Sequence, residues 1–317
     1  MRDTSILCVV IPCYNEEASL RKTIIEVEKK LVGLIKNKKI SNNSYMLLVD
    51  DGSRDKTWDI IAESNALLPE RIRGVRFASN RGKETALWVG CVEAGKSADI
   101  VVCMDADLQF DINAMEDFID AYYEGYQLVY GIKRNRGKET WIKTVCAAAF
   151  YNLMSFLGSP ITKNHTDYSL MTRDVCRALS EYNEAHMIFR GVLKNLGFKQ
   201  KSIKFSVLDR QEGASHFSIK KLVALTIDAI TSFSSAPLRL VAIGGGGVFL
   251  TGIIMTTYSI YRYFNGALPP DGYTTLACSL WLLGGIQMLS LGIIGEYIGK
   301  LYVEAKRRPR FYISEKI

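Results

Sequence analysis

Short apolar runs alternate with longer segments of helical periodicity over roughly the first hundred residues of the chain. The runs are Leu7–Ile11, Met46–Val49, Val75–Ala78 and Ile100–Met104. Between them, Glu16–Ile35 and Thr57–Leu68 carry apolar residues at helix spacing, and Asn80–Lys83 opens a third such segment. Strands that alternate with helices predict a mostly parallel sheet covered by helices on both faces. We therefore expect an α/β fold for this part of the chain.

The pattern changes after residue 132. Trp141–Leu157 has helical periodicity, and Lys163–Thr172 is predicted to be a loop that returns to the sheet. Lys201–Val207 is predicted to be a late strand. Phe217–Phe233 then has apolar residues at helix spacing together with a pair of lysines, which is typical of a helix lying on a membrane surface. A helix that packs on a protein core is the alternative interpretation.

Two long apolar stretches follow, at 238–264 and 274–299. Each exceeds the roughly 20 residues that a helix needs to cross a bilayer, so they predict a hairpin of two transmembrane helices. The link 265–273 contains no Lys or Arg, whereas basic residues cluster before the first stretch and after the second. The positive-inside rule then predicts that both ends of the hairpin, and the large domain, lie in the cytoplasm. We expect a multi-pass protein of the inner (cytoplasmic) membrane.

These patterns divide the 317 residues into four parts. Residues 1–215 are predicted to form a large cytoplasmic domain, 216–236 an interfacial amphipathic helix, 237–301 the two transmembrane helices and 302–317 a basic cytoplasmic tail. The hydrophobic fraction of 48% agrees with a membrane segment. The net charge of +7 suits anionic lipid or phosphorylated substrates. Nucleic acid is not expected as a partner, because the sequence has neither an aromatic-basic ribonucleoprotein motif nor zinc-finger spacing.

Polar clusters follow three of the predicted strands, at 12–16, 50–55 and 105–109. The carboxyl ends of parallel strands share one edge of the sheet, where ligands bind in such folds. Asp105 and Asp107 can hold Mg²⁺ or Mn²⁺ through carboxylate oxygens, and the cation would stabilise a departing nucleoside diphosphate. Asp50 and Asp51 can bind ribose hydroxyls and a base N–H. Alternatively, these acids are solvated, or they cap a turn and a helix.

Four motifs, in order, resemble those of the family 2 glycosyltransferases of the GT-A fold. They are Pro12–Glu16, Asp50–Thr57, Asn80–Lys83 and Asp105–Gln109. Within that family, Asp167–Met171 and the C-terminal hairpin are similar to the polyisoprenyl-phosphate glycosyltransferases of the bactoprenol type, which are relatives of dolichol-phosphate mannose synthase. The resemblance implies a GT-A, Rossmann-like catalytic domain over 1–215, followed by the two-helix hairpin.

The resemblance also implies roles for the matching residues. Asp105 and Asp107 would hold the metal and the diphosphate, with Gln109 beside them and Asp167 near the sugar. The residues expected to bind the nucleotide-sugar are Pro12, Tyr14, Glu16, Asp50, Asp51 and Lys83. The residues expected to bind the acceptor phosphate are Arg134, Arg190 and Arg210, with a solvated surface charge or a structural ion pair as the alternative for each.

The implied reaction moves a sugar from a nucleotide-sugar to a polyisoprenyl phosphate with inversion at the anomeric carbon. A phosphate monoester is already ionised near neutral pH, so this acceptor needs no strong general base. The protein has to align the phosphate oxygen and stabilise the leaving diphosphate. The subfamily implies UDP-glucose as donor and undecaprenyl (bactoprenol) phosphate as acceptor. Together with the glycine-rich helices, it also indicates a homo-oligomer, with a tetramer as one candidate.

Three alternatives stay open at this point. The donor can be UDP-N-acetylglucosamine or another nucleotide-sugar, with GDP-mannose less favoured. The acceptor can be a sugar hydroxyl, as in polysaccharide synthases, although neither their Gln-x-x-Arg-Trp motif nor a larger set of membrane helices is visible in the sequence. A membrane scaffold without activity would predict broken acidic motifs, whereas the acids at 50, 51, 105 and 107 are all present.

Overall fold

The computed structural model describes residues 4–108, 110–133, 165–182, 184, 189–205 and 272–317, together with isolated residues between 238 and 265. The strands are β1 Leu7–Cys13, β2 Tyr45–Asp50, β3 Ile72–Phe77, β4 Ile100–Cys103, β5 Leu128–Lys133, β6 His165–Thr172, β7 Gln200–Phe205 and β8 Ile313–Lys316. The helices are α1 Leu20–Lys36, α2 Thr57–Leu67, α3 Lys83–Ala94, α4 Ala114–Tyr123, α5 Arg173–Ser180, α6 Phe189–Asn195 and α7 Tyr273–Ala305.

The chain divides into two compact units. The first comprises Met1–Leu153, Pro160–His216 and Pro309–Ile317, and the second comprises Met154–Ser159 and Phe217–Arg308. The first unit therefore contains the eight strands and helices α1 to α6, while α7 belongs to the second.

The eight described strands form one sheet, in the order β7-β5-β6-β4-β1-β2-β3-β8. Strand β1 pairs in parallel with β2 and β4, β2 pairs in parallel with β3, and β5 with β7. Strand β6 runs antiparallel between β4 and β5, and β8 runs antiparallel along β3. All the other strands point in one direction, so the mostly parallel α/β sheet predicted from the sequence is confirmed.

Strand β1 is buried on both of its faces, because side chains alternate across a strand. Leu7, Val9 and Ile11 belong to a hydrophobic core that includes residues of α1, α2 and α4. Cys8 and Val10 belong to a second core, which includes residues of α3, α5 and α6. Burial on both faces explains why the central strands appear in the sequence as continuous apolar runs.

The predicted strands β1 to β4 and β7 are confirmed to within a few residues, but the loop predicted at Lys163–Thr172 is wrong. His165–Thr172 forms β6 inside the sheet. Its polar residues hide the strand in the sequence, yet the buried hydroxyls of Thr166 and Ser169 find acceptors in the fold. Thr166 Oγ1 donates to the Gly131 carbonyl at 3.0 Å, and Ser169 Oγ donates to the Asp167 carbonyl at 3.2 Å. Buried hydroxyls with such partners are tolerated in a sheet interior.

The segment 302–317, predicted only to be a basic tail, contributes a strand to the first unit. Strand β8 lies antiparallel to β3, with Glu315 opposite Arg76. The Gly74 N–H donates to the Ile317 carbonyl at 2.9 Å, and the Ile317 N–H donates to the Gly74 carbonyl at 3.0 Å. All four residues of β8 are exposed, so no alternation of buried and exposed positions marks this strand in the sequence.

In the second unit, α7 spans the region predicted to be the second transmembrane helix, 274–299. Across the part of the chain that the structure describes, no helix combines the length and the apolar character needed to cross a membrane. The helices predicted at 141–157 and 216–236, and most of the stretch 238–264, lie outside the described residues.

Candidate active site

The loops that follow β1 and β2 are joined to each other by hydrogen bonds. The Asn15 N–H donates to Ser53 Oγ at 3.0 Å, and the Arg54 N–H donates to Asn15 Oδ1 at 2.9 Å. Asn15 has a φ of +54°, a left-handed conformation that asparagine tolerates better than most residues. The loop that carries Tyr14 and Glu16 is therefore held against the loop after β2.

The loop after β2 also fixes the start of α3. Asp51 Oδ1 accepts the Arg81 N–H at 2.6 Å, and Asp51 Oδ2 accepts the Gly82 N–H at 2.8 Å. Gly52 has a φ of +67°, and a Cβ there would lie 2.7 Å from the carbonyl carbon of Ser79. Glycine at this position therefore allows the two loops to meet. Burial raises the pKa of Asp51, although the two N–H groups oppose that shift.

Asp50 is fully buried and does not belong to the lining of the cleft described below. Its Oδ1 accepts the Ser53 N–H at 2.9 Å, and its Oδ2 lies 3.4 Å from Arg76 Nε. Burial raises the pKa of Asp50, whereas the hydrogen bonds from Ser53 and the charge of Arg76 lower it in part. Asp50 thus stabilises the turn after β2 from its buried side, away from the cleft.

The loop after β4 carries Asp105 and Asp107. Helix α1 holds this loop, because Thr23 Oγ1 donates to the Ala106 carbonyl at 2.5 Å. The side chain of Asp105 keeps 23% of its surface exposed, whereas Asp107 is exposed. Gln109, predicted to lie beside this pair, is outside the described residues.

Two cations and two carboxylates alternate next to this loop. Lys83 Nζ lies 2.6 Å from Asp105 Oδ1 and 2.6 Å from Asp167 Oδ2. Asp167 Oδ1 in turn lies 2.8 Å from Arg190 Nε. Lys83 is the first residue of α3, Asp167 belongs to β6 and Arg190 to α6, so three further elements converge on the loop after β4.

Burial and neighbouring charge together set the protonation of this group. Burial lowers the pKa of Lys83, but the carboxylates of Asp105 and Asp167 outweigh that effect and raise the pKa above its ordinary value. Burial raises the pKa of Asp105, while the Lys83 ammonium opposes that shift and the carboxylates of Asp167 and Asp107 add to it. Lys83 is therefore held as a cation between acids.

These loops enclose a cleft of about 280 Å³ at the carboxyl edge of the sheet. The lining residues are Pro12, Cys13, Tyr14, Glu16, Asp51, Asn80, Gly82, Lys83, Ala86, Asp105, Ala106 and Asp107. Carboxylates and the Lys83 ammonium supply the charged part of this wall, and Tyr14, which is 43% exposed, supplies an aromatic surface. Such a cleft suits a polar ligand that carries a ring, and an anionic group of that ligand would need a cation beside the carboxylates.

Asp105 and Asp107 have the donor atoms that Mg²⁺ and Mn²⁺ prefer. Within the described residues, no cluster of three or more His, Cys, Asp or Glu side chains is arranged to hold a metal ion. A cation at this loop would therefore draw on the two carboxylates and on oxygen atoms of a bound ligand, as magnesium commonly does with phosphates. The Lys83 ammonium beside Asp105 indicates that this position favours positive charge. The residues present thus fit the divalent metal implied by the resemblance.

Glu84 also belongs to the candidate site, although the motifs described above do not include it. Its Oε2 accepts the N–H of Phe189, the first residue of α6, at 2.8 Å. Burial raises the pKa of Glu84, and the nearby carboxylate of Asp167 adds to the increase. The signal that could have identified it is its place in the first turn of α3, directly after the site lysine. Glu84 fixes the start of the helix that carries Arg190.

The structure gathers most of the predicted site residues. Those that line the cleft are Pro12, Tyr14, Glu16, Asp51, Lys83, Asp105 and Asp107. Asp167 and Arg190 join them through the ion pairs with Lys83 and with each other. Asp50 is buried and does not line the cleft, and Arg134 and Arg210 lie outside the described residues.

Two family patterns match the chain. The pattern of glycosyl transferase family 2 matches residues 8–180, which is more than half of the chain and extends from the second residue of β1 past the end of β6. The pattern of the GtrB C-terminal hairpin matches residues 236–301, which nearly coincides with the region predicted to hold the transmembrane hairpin.

Similar proteins match the chain along almost its whole length. The chain is 36% identical over 309 residues to a Bacillus subtilis (strain 168) protein named uncharacterized glycosyltransferase YkoT, and the match covers 98% of this chain and 91% of the relative. It is 30% identical over 314 residues to the bactoprenol glucosyl transferase of Shigella phage SfV, with 98% of each chain covered. Among solved structures, the mannosyltransferase PcManGT from Pyrobaculum calidifontis, in complex with GDP-Man and Mn²⁺, matches with 16% identity and a TM-score of 0.43, covering 96% of this chain and 87% of that one.

Proposed function

Because this chain belongs to glycosyltransferase family 2, we propose that it transfers a sugar from a nucleotide-sugar to a polyisoprenyl phosphate at a membrane. The proposed donor is UDP-glucose and the proposed acceptor is undecaprenyl (bactoprenol) phosphate, giving a lipid-phosphate sugar for cell-surface glycan modification. The name of the Shigella phage SfV relative, bactoprenol glucosyl transferase, supports both the sugar and the lipid. The match to the GtrB C-terminal hairpin supports a membrane location.

The observation that carries the proposal is the alternation of charge next to the cleft. Lys83 and Arg190 share Asp167, and Lys83 also reaches Asp105. A donor diphosphate and an acceptor phosphate repel each other, so a site that brings them together needs fixed cations near carboxylates that can hold a metal. This cluster supplies both kinds of group.

The mechanism follows from what these residues can do. The acceptor phosphate is ionised near neutral pH, so no side chain has to remove a proton from it. Arg190 orients the acceptor phosphate oxygen behind the anomeric carbon, and Lys83 lies beside the donor diphosphate. Tyr14 and Glu16 bind the nucleoside. Asp105 and Asp107 would hold Mg²⁺ or Mn²⁺, which neutralises the departing diphosphate when bound. Direct displacement in this arrangement inverts the anomeric configuration.

The location that we propose follows from the proposed acceptor. A lipid phosphate has its head group at the membrane surface, so the proposed location is the cytoplasmic face of the inner membrane, with residues 237–301 as the membrane anchor. The basic residues that flank this segment support that orientation. We propose a homo-oligomer, with a tetramer as one form, because the hairpin is rich in glycines that let helices approach closely.

The test uses full-length protein purified in detergent, with undecaprenyl phosphate, Mg²⁺ and a panel of radiolabelled nucleotide-sugars. Label that enters the organic phase from UDP-glucose, and is lost with EDTA, is the expected result. Asp107→Asn should abolish that label, whereas Asp117→Asn, which changes an exposed acid on α4, should leave it unchanged.

Each other outcome has a distinct meaning. Label from UDP-N-acetylglucosamine alone would change the sugar and keep the reaction. Release of nucleoside diphosphate without any lipid label would point to another acceptor, such as a sugar hydroxyl. Neither release nor label from any donor would contradict the proposal as a whole and favour a membrane scaffold.

A further inference from the structure

Strand β8 carries an acid, Glu315, whose carboxylate is held by one residue of α2 and one residue of β3. Glu315 Oε2 accepts the indole N–H of Trp58 at 3.1 Å. Glu315 Oε1 accepts an N–H from Arg76 Nη1 at 3.0 Å. The Arg76 guanidinium also lies over the Trp58 ring, 5.6 Å from its centroid. The three side chains form one closed group, in which Glu315 fixes the orientation of the guanidinium.

From this group, a series of contacts leads to the cleft. Arg76 Nε lies 3.4 Å from Oδ2 of the fully buried Asp50. Asp50 Oδ1 accepts the Ser53 N–H at 2.9 Å, and Ser53 Oγ accepts the Asn15 N–H at 3.0 Å. Asn15 lies between Tyr14 and Glu16, which both line the cleft. Each step is a direct contact, so a shift of the Arg76 guanidinium is passed on to the loop that carries Tyr14 and Glu16.

Strand β8 is anchored by contacts that do not involve Glu315. Phe311 stacks on Phe77 with ring centroids 5.3 Å apart, and Ile317 exchanges two backbone hydrogen bonds with Gly74. On the same strand, Lys316 Nζ lies 2.5 Å from Glu93 Oε2. Replacing Glu315 should therefore leave the strand docked, and Lys316 offers a matched ion pair outside the series of contacts.

We propose that Glu315 and Arg76 are positioning residues for Asp50, and that β8 therefore forms part of the nucleoside-diphosphate site. The inference rests on the proposed function, because it assigns the cleft beside Tyr14 and Glu16 to the nucleoside of the donor. It adds the C-terminal strand to that site.

The expected weakening of ligand binding comes from Asp50 rather than from the exposed ion pair between Arg76 and Glu315. The side chains of Arg76 and Glu315 keep 31% and 50% of their surface exposed, and ion pairs of that exposure contribute little. Asp50, in contrast, is buried. A buried carboxylate is sensitive to the placement of its nearby cation, because loss of that partner leaves its charge uncompensated. A change at Glu315 should thus be felt in ligand binding more than in the stability of the fold.

The experiment measures UDP binding to the full-length protein in detergent with Mg²⁺, by isothermal titration calorimetry. Glu315→Gln should weaken UDP binding about twofold to fivefold, which is the range of an exposed ion pair, and Arg76→Met should weaken it more. The double variant should be no weaker than Arg76→Met, because contacting residues are not additive. In the transfer assay, the KM for the donor should rise while the KM for undecaprenyl phosphate stays the same. Lys316→Met should leave UDP binding unchanged, and it should share its thermal unfolding midpoint with Glu315→Gln.

Three results would overturn the inference. UDP binding by Glu315→Gln equal to that of the wild type would sink it and leave the proposed function intact. An equal loss of binding in Glu315→Gln and Lys316→Met would reduce β8 to a general support of the fold. A wild-type protein that binds neither UDP nor GDP would remove the donor site itself, and with it both proposals.

Discussion

At the scale of single residues, Lys83 is the side chain on which most of the site's charge depends. Its ammonium is shared by Asp105 and Asp167, which would otherwise face each other as two carboxylates. Lysine suits this position because its ammonium is a compact charge with three donors, whereas arginine presents a planar fork. The same ammonium lies next to the residues that fit a metal, so it limits how much negative charge the cleft carries.

Replacing Lys83 with Met should lower kcat about 100-fold or more, because a fixed charge that stabilises a developing anion contributes that much in other enzymes. The measurement is the transfer of label to lipid at saturating donor and acceptor. Lys83→Arg keeps the charge and should recover part of the loss. A Lys83→Met enzyme with kcat close to that of the wild type would show that Lys83 has no part in catalysis.

Gly52→Ala should lower the free energy of unfolding by about 1 to 3 kcal/mol, because the new side chain adopts a left-handed conformation. Its Cβ would also lie 2.7 Å from the carbonyl carbon of Ser79. Gly82→Ala is the matched control, since Gly82 has a φ of +90° but open space around the added carbon. Chemical denaturation of both variants checks the difference. If Gly52→Ala loses no more free energy of unfolding than Gly82→Ala, the close contact between Gly52 and Ser79 does not matter for stability.

At the scale of elements, the sequence predicted strands where burial on both faces made them apolar. Strands β1 and β2 are buried at nearly every position, so their patterns are unambiguous. Strand β6 was missed because Thr166, Asp167 and Ser169 are polar and find partners only in the folded sheet. Strand β8 was missed because it is exposed, and its pairing with β3 joins residues 239 positions apart. Contacts that distant leave no local pattern.

Glu84→Ala should raise the KM for undecaprenyl phosphate more than the KM for the donor. The variant leaves the Phe189 N–H without its acceptor, which costs about 1 to 3 kcal/mol for a buried donor and loosens the start of α6. Arg190, the next residue, would then be held less firmly on Asp167. Glu84→Gln keeps an acceptor oxygen and should stay closer to the wild type. Equal changes in both KM values would contradict a specific effect on Arg190.

The pKa of Glu84 also predicts a dependence of stability on pH. Burial raises this pKa in the folded protein, so the folded state favours the protonated acid, and the stability gained from it is lost as pH rises through the folded-state pKa. Glutamine cannot ionise. The unfolding midpoint of Glu84→Gln relative to the wild type should therefore be higher at pH 8 than at pH 5. A difference that does not change with pH would show that Glu84 ionises as easily in the folded protein as in the unfolded chain.

At the scale of the whole molecule, the sequence predicted the edge of the sheet at which the cleft lies and seven of the residues that line it. The motifs after β1, β2 and β4 converge because parallel strands end at one edge. What it could not predict is how the side chains divide their roles. Both carboxylate oxygens of Asp51 accept backbone N–H groups of the loop before α3. Asp50 is buried beneath the turn that follows β2. Those assignments depend on how neighbouring loops pack, which spacing alone does not specify.

The proposed membrane anchor makes a prediction for the intact chain. Full-length protein should stay in the membrane fraction after alkaline carbonate, because two apolar spans hold more strongly than a surface helix. Alkaline phosphatase inserted in the link 265–273 should be active, and a fluorescent protein joined after residue 317 through a flexible linker should be fluorescent in the cytoplasm. Release by carbonate, or an inactive phosphatase in the link, would contradict the two-span orientation.

The pairing of β3 with β8 also determines the order in which parts of the sheet can form during translation. Arg76 and Glu315 are 239 residues apart. At about 5 to 20 residues per second, β3 leaves the ribosome roughly 10 to 50 s before its partner strand exists. During that interval its edge has backbone groups available to other chains, and the segment 236–301 is synthesised within the same period. Strand β8 can therefore pair with β3 only after the hairpin segment has emerged from the ribosome. A chain that stalls earlier keeps β3 as an unpaired edge, which chaperones and proteases can recognise.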